Sequence, residues 1–497
     1  MKKLCYETAE KQSTQSFLLK NAPERVLQFG EGNFLRAFVE AFIDEMNEHA
    51  GFDGKVVIVQ PIKTGLAAKI NEQEGLYTLL LRGQEQNRVI DRRKVISCIS
   101  RCIDPYQDFS ALLEGAKNPD LRFIVSNTTE AGIAFDNTCR FGDAPSRSFP
   151  GKLTRFLYER FRLHGRGFIL LPCELIDGNG RELLRCVERY STLWNLEEEF
   201  LQWVYRENIF CSTLVDRIVT GYPQQEAARL SEELGYEDAL LDTAESFGLW
   251  VIEGPACVKE EFPAARAGLP VIFTDDCTPY KQRKVRILNG AHTAMAPAAF
   301  LSGRDIVRSS MEDPPLRAFM EKAVYEEIIP TLALPKTELQ SFAAAVTERF
   351  LNPYIDHRLL DICLNTCSKW KARILPSLLR YYNIHQKLPA CLTFSFAAFL
   401  QLYRGCDKRA DNGISGTRGS ERYILRDEAF VLDFFMENRS LPTDKFAKAV
   451  AENHSMWGGK LKTLPGFLDA VTEYLHRIEQ HGIRQALMLC LSEGKTE

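Results

Sequence analysis

Val26-Leu-Gln-Phe-Gly-Glu-Gly-Asn-Phe34 joins a short apolar run to a glycine pair and then to a helical pattern. Val26 to Phe29 reads as a buried strand that stops at Gly30. From Phe34 to about Asn47, Phe34, Phe38, Phe42 and Ile43 recur at helical spacing and share one face. In that context a glycine pair has a use: one glycine makes the tight turn, and the next lets the backbone approach a pyrophosphate at the positive end of the helix. The third glycine of the usual dinucleotide fingerprint is absent, and Leu35 stands in its place. The pattern alone fits a nucleotide loop and a ligand-free glycine turn equally well.

Outward from this turn the first half alternates strands and helices. Lys55-Val-Val-Ile-Val-Gln60 is a β-branched run closed by Pro61, Arg122-Phe-Ile-Val-Ser126 is another, and Gly167-Phe-Ile-Leu-Leu171 is stopped by Pro172. Continuous apolar runs with helices between them predict a parallel sheet covered on both faces, hence a doubly wound α/β domain. After about Pro279 long helical periodicities take over, at 316–332, 339–350, 359–382, 394–403, 427–437 and 467–481. The segment 404–422, rich in Gly, Asp, Ser and Arg, reads as an exposed loop. The expected domains are therefore 1–278, Rossmann-type, and 279–497, mostly α-helical.

A chain of 497 residues has room for two or three domains, and 45% hydrophobic with 26% charged residues is ordinary for a globular protein. A net charge of −4 with interspersed signs excludes a nucleic-acid binder built on a basic stripe. No run approaches the length of a membrane span, and the N-terminus has no apolar secretory core. A cytoplasmic location is expected. The 14 cysteines lack zinc-site spacing and are expected to be reduced thiols, with no metal bound.

A second informative stretch is Lys284-Val-Arg-Ile-Leu-Asn-Gly-Ala-His292. It places an amine, a carboxamide and an imidazole in an otherwise apolar, alanine-rich segment. Desolvation disfavours an ammonium ion, so a lysine held there becomes able to give and take a proton near neutral pH. Asn289 and His292 share a helix face. On an α-helix Lys284 and Asn289 stand roughly 140° apart, which requires the lysine to reach around or to precede the helix proper. The spacing is also met by a surface lysine with a core Asn and a core His.

Taken in order, Gly30-x-Gly32-Asn-Phe-x-Arg36-Ala, Glu74-Gly-Leu-Tyr77, Thr129-Glu-x-Gly132, Pro150-Gly-Lys-Leu153, Val215-Asp-Arg-Ile218 and Lys284-x4-Asn289-x2-His292 resemble the polyol-specific long-chain dehydrogenases, the mannitol dehydrogenase family. The resemblance runs from about Glu24 through the C-terminal helices. It implies a metal-independent, NAD(H)-linked reduction of a small-molecule keto sugar acid, carried out between the two domains. It places the family's catalytic lysine on Lys284, with Asn289 as an oxyanion donor and His292 as an imidazole that holds the substrate or the lysine in line. A second oxyanion asparagine falls on Asn179 or is lost, since Leu175 occupies the position of the first Asn of that motif.

Cofactor contacts are expected from Phe29, Gly30, Glu31, Gly32, Asn33 and Phe34, from Gln60, from Asn127, Thr128, Thr129 and Glu130, and from Asp216. Gln60 is not the acid that usually reads a ribose 2′-hydroxyl, and Lys63 lies near, so the residues themselves leave NAD and NADP open. A sugar carboxylate calls for a cation, and Arg349 and Lys369 are the first candidates, with Arg358 and Arg373 behind them. His357 is a candidate for a substrate hydroxyl. Other readings are a related enzyme acting on another hexuronate or on a neutral polyol, and a non-catalytic nucleotide-binding sensor. The intact Lys284, Asn289 and His292 argue against the sensor. The oligomeric state is open.

Overall fold

A computed structural model describes residues 1–12, 17–86, 88–129 and 131–493. The chain divides into two compact units, one of Met1–Gly83 with Ile90–Cys277 and one of Gln84–Val89 with Thr278–Glu497.

The strands up to Cys277, which belong to the first unit apart from the tip of the β3–β4 hairpin, are β1 (Glu24–Phe29), β2 (Lys55–Val59), β3 (Tyr77–Glu85), β4 (Arg88–Ile96), β5 (Ile99–Ile103), β6 (Phe123–Ser126), β7 (Ile169–Pro172), β8 (Ile209–Phe210), β9 (Ser212–Asp216), β10 (Asp242–Glu245), β11 (Leu249–Glu253) and β12 (Val271–Thr274). Six of them form a parallel sheet in the order β5-β2-β1-β6-β7-β8. Relabelled along the sheet this is the 3-2-1-4-5-6 order of a doubly wound fold, with the switch point between β1 and β6. Alternation explains the apolar runs. Val26, Val56, Ile58 and Val125 enter one core with Phe38, Phe42, Ile43 and Trp250. Leu27, Val57, Val59 and Ile124 enter the other with Phe149, Phe156, Leu183 and Phe200. Both faces are buried, so these strands are apolar at most positions on either side. Two three-stranded sheets, β10-β3-β4 and β12-β11-β9, complete the unit.

The helix after the glycine turn is not a regular α-helix. Asn33–Leu35 leads into a π turn at Arg36–Glu40 before Ala41–Ala50. The cause is visible: Tyr77 Oη donates to the Arg36 carbonyl at 2.6 Å, and Arg217 Nη1 donates to the Ala37 carbonyl at 2.6 Å. Side chains that take backbone carbonyls in this way open the i→i−4 ladder.

The second unit is mostly helical. The segment 404–422 is not the loop the sequence suggests. It folds as an antiparallel sheet of β13 (Cys406–Ala410), β14 (Gly413–Arg418) and β15 (Glu421–Leu425). Its turn-forming residues make two hairpin turns, with Asn412 at φ +62° and Gly419 at φ +61°. The expected helix at 359–382 is three helices, Leu359–Ile362, Thr366–Arg373 and Leu375–His385, broken by Asn365 at φ +54° and by Pro376 in the first turn of the last. Among the described residues no helix is long and apolar enough to cross a membrane.

Candidate functional site

In the first unit the glycine turn closes the C-terminal end of β1 beside the switch point. Gly30 has φ +122°, and a Cβ there would stand 2.9 Å from the Asn127 carbonyl and 3.0 Å from Leu35 Cδ1. Only glycine meets both demands without strain. Gly32 faces open space, with nothing within 4 Å of a Cβ, and it caps the helix that follows. An exposed glycine at a helix N-terminus, at the switch point of a parallel sheet, fits a pyrophosphate.

The other expected cofactor residues divide by what their side chains do. Phe29 is core, packed on Phe149 at 5.0 Å, and its carbonyl accepts the Asn127 N–H. Phe34 stacks on Phe38 at 5.2 Å. The Asn33 carboxamide accepts from Arg36 Nη2 at 2.5 Å, and Arg36 also donates to the Leu240 carbonyl. The Gln60 side chain closes its own loop, donating to the Ile62 carbonyl at 2.9 Å and accepting from the Ala67 N–H at 3.3 Å. Glu31 is 7% exposed, and burial raises its pKa. Asp216 lies buried at the end of β9, in a smaller sheet.

The loop after β6 is fastened by a residue that sequence reasoning did not single out. Glu174, 2% exposed, accepts from Ser126 Oγ, the Thr128 N–H and Thr128 Oγ1, each at 3.0 Å. Asn127 donates to the Cys173 carbonyl at 3.0 Å. Thr129 takes φ +75°, a strained conformation for a β-branched residue and one that recurs at ligand-binding loops. Glu130 lies outside the described residues. Glu174 carries no sequence signal of its own, because a lone acid after a strand ordinarily faces solvent.

Asn179 requires a correction. Its amide donates to the carbonyls of Pro172 at 2.9 Å, Glu174 at 3.1 Å and Thr213 at 3.1 Å, and its oxygen accepts from the Thr213 and Gly180 N–H groups at 2.8 and 2.9 Å. The residue is fully buried. A carboxamide with both hydrogens committed to backbone carbonyls has none left for an oxyanion. Arg217 is likewise a scaffold residue. It donates to the Phe247 and Ala37 carbonyls, packs over Phe38 and Phe42, and has its pKa pushed down to about 10 by burial.

In the second unit one helical stretch carries Lys284, Asn289 and His292. Thr278–Arg283 and Gly290–Leu301 flank a π turn, Lys284–Asn289. The i→i+5 pattern of a π turn winds the chain more loosely than an α-helix, which narrows the roughly 140° separation that an ideal α-helix puts between Lys284 and Asn289. Single π turns of this kind concentrate at functional sites. Lys284 and Asn289 are half-buried.

His292 lies against Phe350, with ring centroids 4.1 Å apart and 18° between planes, and meets His357 edge-on at 5.0 Å. Its Nε2 is buried and has no hydrogen-bond partner in the structure. Burial, and after it the nearby His357, Arg349, Arg373 and Lys369, hold the imidazole well below its usual pKa. His292 is therefore neutral at physiological pH and presents a nitrogen for a hydrogen bond rather than a charge.

The structure thus gathers Arg349, Lys369 and His357 around His292, together with Arg373. Lys369 Nζ donates to the Ile362 carbonyl at 3.0 Å, and Arg373 Nη1 to Thr293 Oγ1 at 3.2 Å. Arg358 is exposed. Burial lowers the pKa of both Lys369 and Arg373, as it must where cations are crowded into a half-dry pocket. Arg286 also belongs to this helical stretch. It donates to Ser377 Oγ at 3.3 Å and was not anticipated.

Comparison with known proteins follows the same division. A family model described as the mannitol dehydrogenase Rossmann domain matches residues 24–264, and one described as the mannitol dehydrogenase C-terminal domain matches residues 276–479. The altronate oxidoreductases of Escherichia coli O7:K1 (strain IAI39 / ExPEC) and Escherichia coli (strain K12) are each 46% identical over 476 residues, covering 94% of this chain and 96% of theirs. Among solved structures, substrate-free D-sorbitol dehydrogenase has a TM-score of 0.81 at 21% identity, covering 97% of this chain and 100% of its own. Pseudomonas fluorescens mannitol 2-dehydrogenase, solved with NAD and D-mannitol, has a TM-score of 0.68 at 22% identity, covering 99% of this chain and 100% of its own. At these identities the two structures speak to the fold.

Proposed function

The chain belongs to the mannitol dehydrogenase family, and from that premise we propose that it is an NAD(H)-dependent oxidoreductase that reduces D-tagaturonate to D-altronate, reversibly. The observation that carries the substrate class is the cationic cluster of Arg349, Lys369 and Arg373 around a neutral His292, on the unit that bears Lys284. A neutral polyol gives such a cluster nothing to neutralise. A hexuronate carboxylate does, through charge-assisted hydrogen bonds.

The coenzyme supplies the hydride when bound. The residues of the chain do the rest. The Gly30–Gly32 turn receives the pyrophosphate, and the loop held by Glu174 flanks it across the switch point. Lys284 delivers a proton to the ketone oxygen as the new C–H bond forms, and takes the hydroxyl proton back during altronate oxidation. Asn289, in the same π turn as Lys284, donates to the developing oxyanion, a contribution of roughly 3–4 kcal/mol. His292 holds a substrate hydroxyl through Nε2.

The test is NADH consumption with tagaturonate, fructuronate and fructose, each repeated with NADPH. Turnover on tagaturonate well above the other two supports the proposal. Preference for fructose overturns the acid-binding role of the cluster, and preference for fructuronate overturns the assigned substrate.

A further inference from the structure

The second strand of a doubly wound domain ordinarily ends in an acid that reads the ribose of the coenzyme. Here β2 is followed by Gln60, and the Gln60 amide is committed to the Ile62 carbonyl and the Ala67 N–H. The acid stands elsewhere. Glu31, between the two glycines of the turn, folds its carboxylate toward the loop after β2, where the Leu66 N–H helps to hold it. A Cβ added to Gly65 would collide with Glu31 Oε1 and with the Gln60 amide, so the three groups are in contact. Glu31 is 93% buried by its 7% residual exposure, and its Oε2 is buried without a hydrogen-bond partner.

Beside this carboxylate opens a cavity of about 670 Å³ at the C-terminal ends of β2 and β5. Its wall includes Gln60, Lys63, Gly65, Arg101, Asp104 and Asp108. Arg101 is ion-paired with Glu24 at 2.9 Å, and Lys63, Asp104 and Asp108 are the other charged residues of the wall. With Glu31 added, acids outnumber the remaining base. A phosphate monoester entering this cavity meets net negative charge.

We propose that Glu31 sets the coenzyme choice: from within the glycine turn it supplies the carboxylate that β2 lacks, accepts a ribose hydroxyl of the unphosphorylated coenzyme and repels a 2′-phosphate. The inference rests on the NAD(H) reading above and assigns the discrimination to a residue outside the usual strand-end position.

The test is direct binding of NADH and NADPH, read by nucleotide fluorescence without substrate, in the wild type, Glu31→Gln and Gly65→Ala. Glu31→Gln keeps the shape and removes the charge. Gly65→Ala keeps the charge and displaces the carboxylate, so it decides the matter if Glu31→Gln does not fold. The wild type is expected to bind NADH more tightly, and each variant to shrink the ratio of the two dissociation constants by about tenfold or more, the scale of one close charge pair near a protein surface. Ratios unchanged within about twofold in both variants overturn the role of Glu31. Wild-type protein that binds neither nucleotide, or prefers NADPH, overturns the NAD(H) reading itself.

Discussion

Replacing Asn179 by alanine separates a scaffold residue from a catalytic one. The wild-type carboxamide makes hydrogen bonds to the carbonyls of Pro172, Glu174 and Thr213 and from the N–H groups of Thr213 and Gly180. Not all of these partners are orphaned by its removal. The Pro172 carbonyl keeps Thr213 Oγ1, and the Glu174 carbonyl keeps the Ile176 N–H. The Thr213 and Gly180 N–H groups lose the acceptor they have, Gly180 in a buried position and Thr213 in a half-buried one. Each buried unsatisfied group costs about 1–3 kcal/mol, so Asn179→Ala is expected to lose about 2–6 kcal/mol of stability. Urea unfolding followed by tryptophan fluorescence measures that loss, and turnover per folded molecule measures the catalytic effect. Folded Asn179→Ala should keep its turnover within about tenfold. The reasoning is refuted if stability changes by less than about 1 kcal/mol while turnover drops by about 10²–10³, the signature of a lost oxyanion donor.

Three further outcomes follow from the geometry. Gly30→Ala forces a Cβ to 2.9 Å from the Asn127 carbonyl at φ +122°, a strain of about 1–3 kcal/mol, so NADH affinity measured by fluorescence should fall about tenfold or more; unchanged affinity would remove the turn from the coenzyme site. Lys369→Met should raise KM for the keto sugar acid by about 10–100-fold and leave the NADH dissociation constant alone, since charge-assisted hydrogen bonds are worth about 1.5–3 kcal/mol; an effect on NADH instead would move the cluster out of the substrate pocket.

The third outcome concerns pH. The folded pKa of His292 lies below its unfolded value of about 6.5, so above that pH the group contributes nothing to the pH dependence, and below it the unfolded chain takes up a proton that the native state refuses. Glu40, Asp242 and Glu327 are raised to about 7 and act in the opposite sense, favouring the native state as pH falls from 7 toward their unfolded values. The histidine contribution is therefore isolated by comparison. From pH 7.5 to 5.5 the melting temperature of His292→Phe should rise relative to that of the wild type, whichever way both move, and parallel curves would count against a neutral buried imidazole.

The fold was legible where burial is symmetrical. Val56–Val59 is apolar at every position because both faces of the parallel sheet are covered, and Val26 to Phe29, with Gln28 as its one polar residue, and the strand ending at Ser126 read in a similar way. β13–β15 hid behind their own turns, since Asn412 and Gly419 give a hairpin the composition of a loop. The family was legible in its ordered motifs, and family models match the chain over the same stretch. The candidate site was only partly visible. Spacing on an ideal helix separated Lys284 from Asn289, and no local residue pattern announces the π turn that narrows that separation. The commitments of Asn179 and Glu174 depend on carbonyls and N–H groups brought in from distant parts of the chain, which no one-dimensional reading locates.

The central claim is a proton carried by Lys284, and it is tested most directly by single-turnover reduction of tagaturonate with Lys284→Ala, alongside NADH binding to the same protein. A lost general acid should slow the hydride-transfer burst by about 10²-fold or more while NADH still binds with wild-type affinity. A burst within about tenfold of wild type at neutral pH would contradict the assignment.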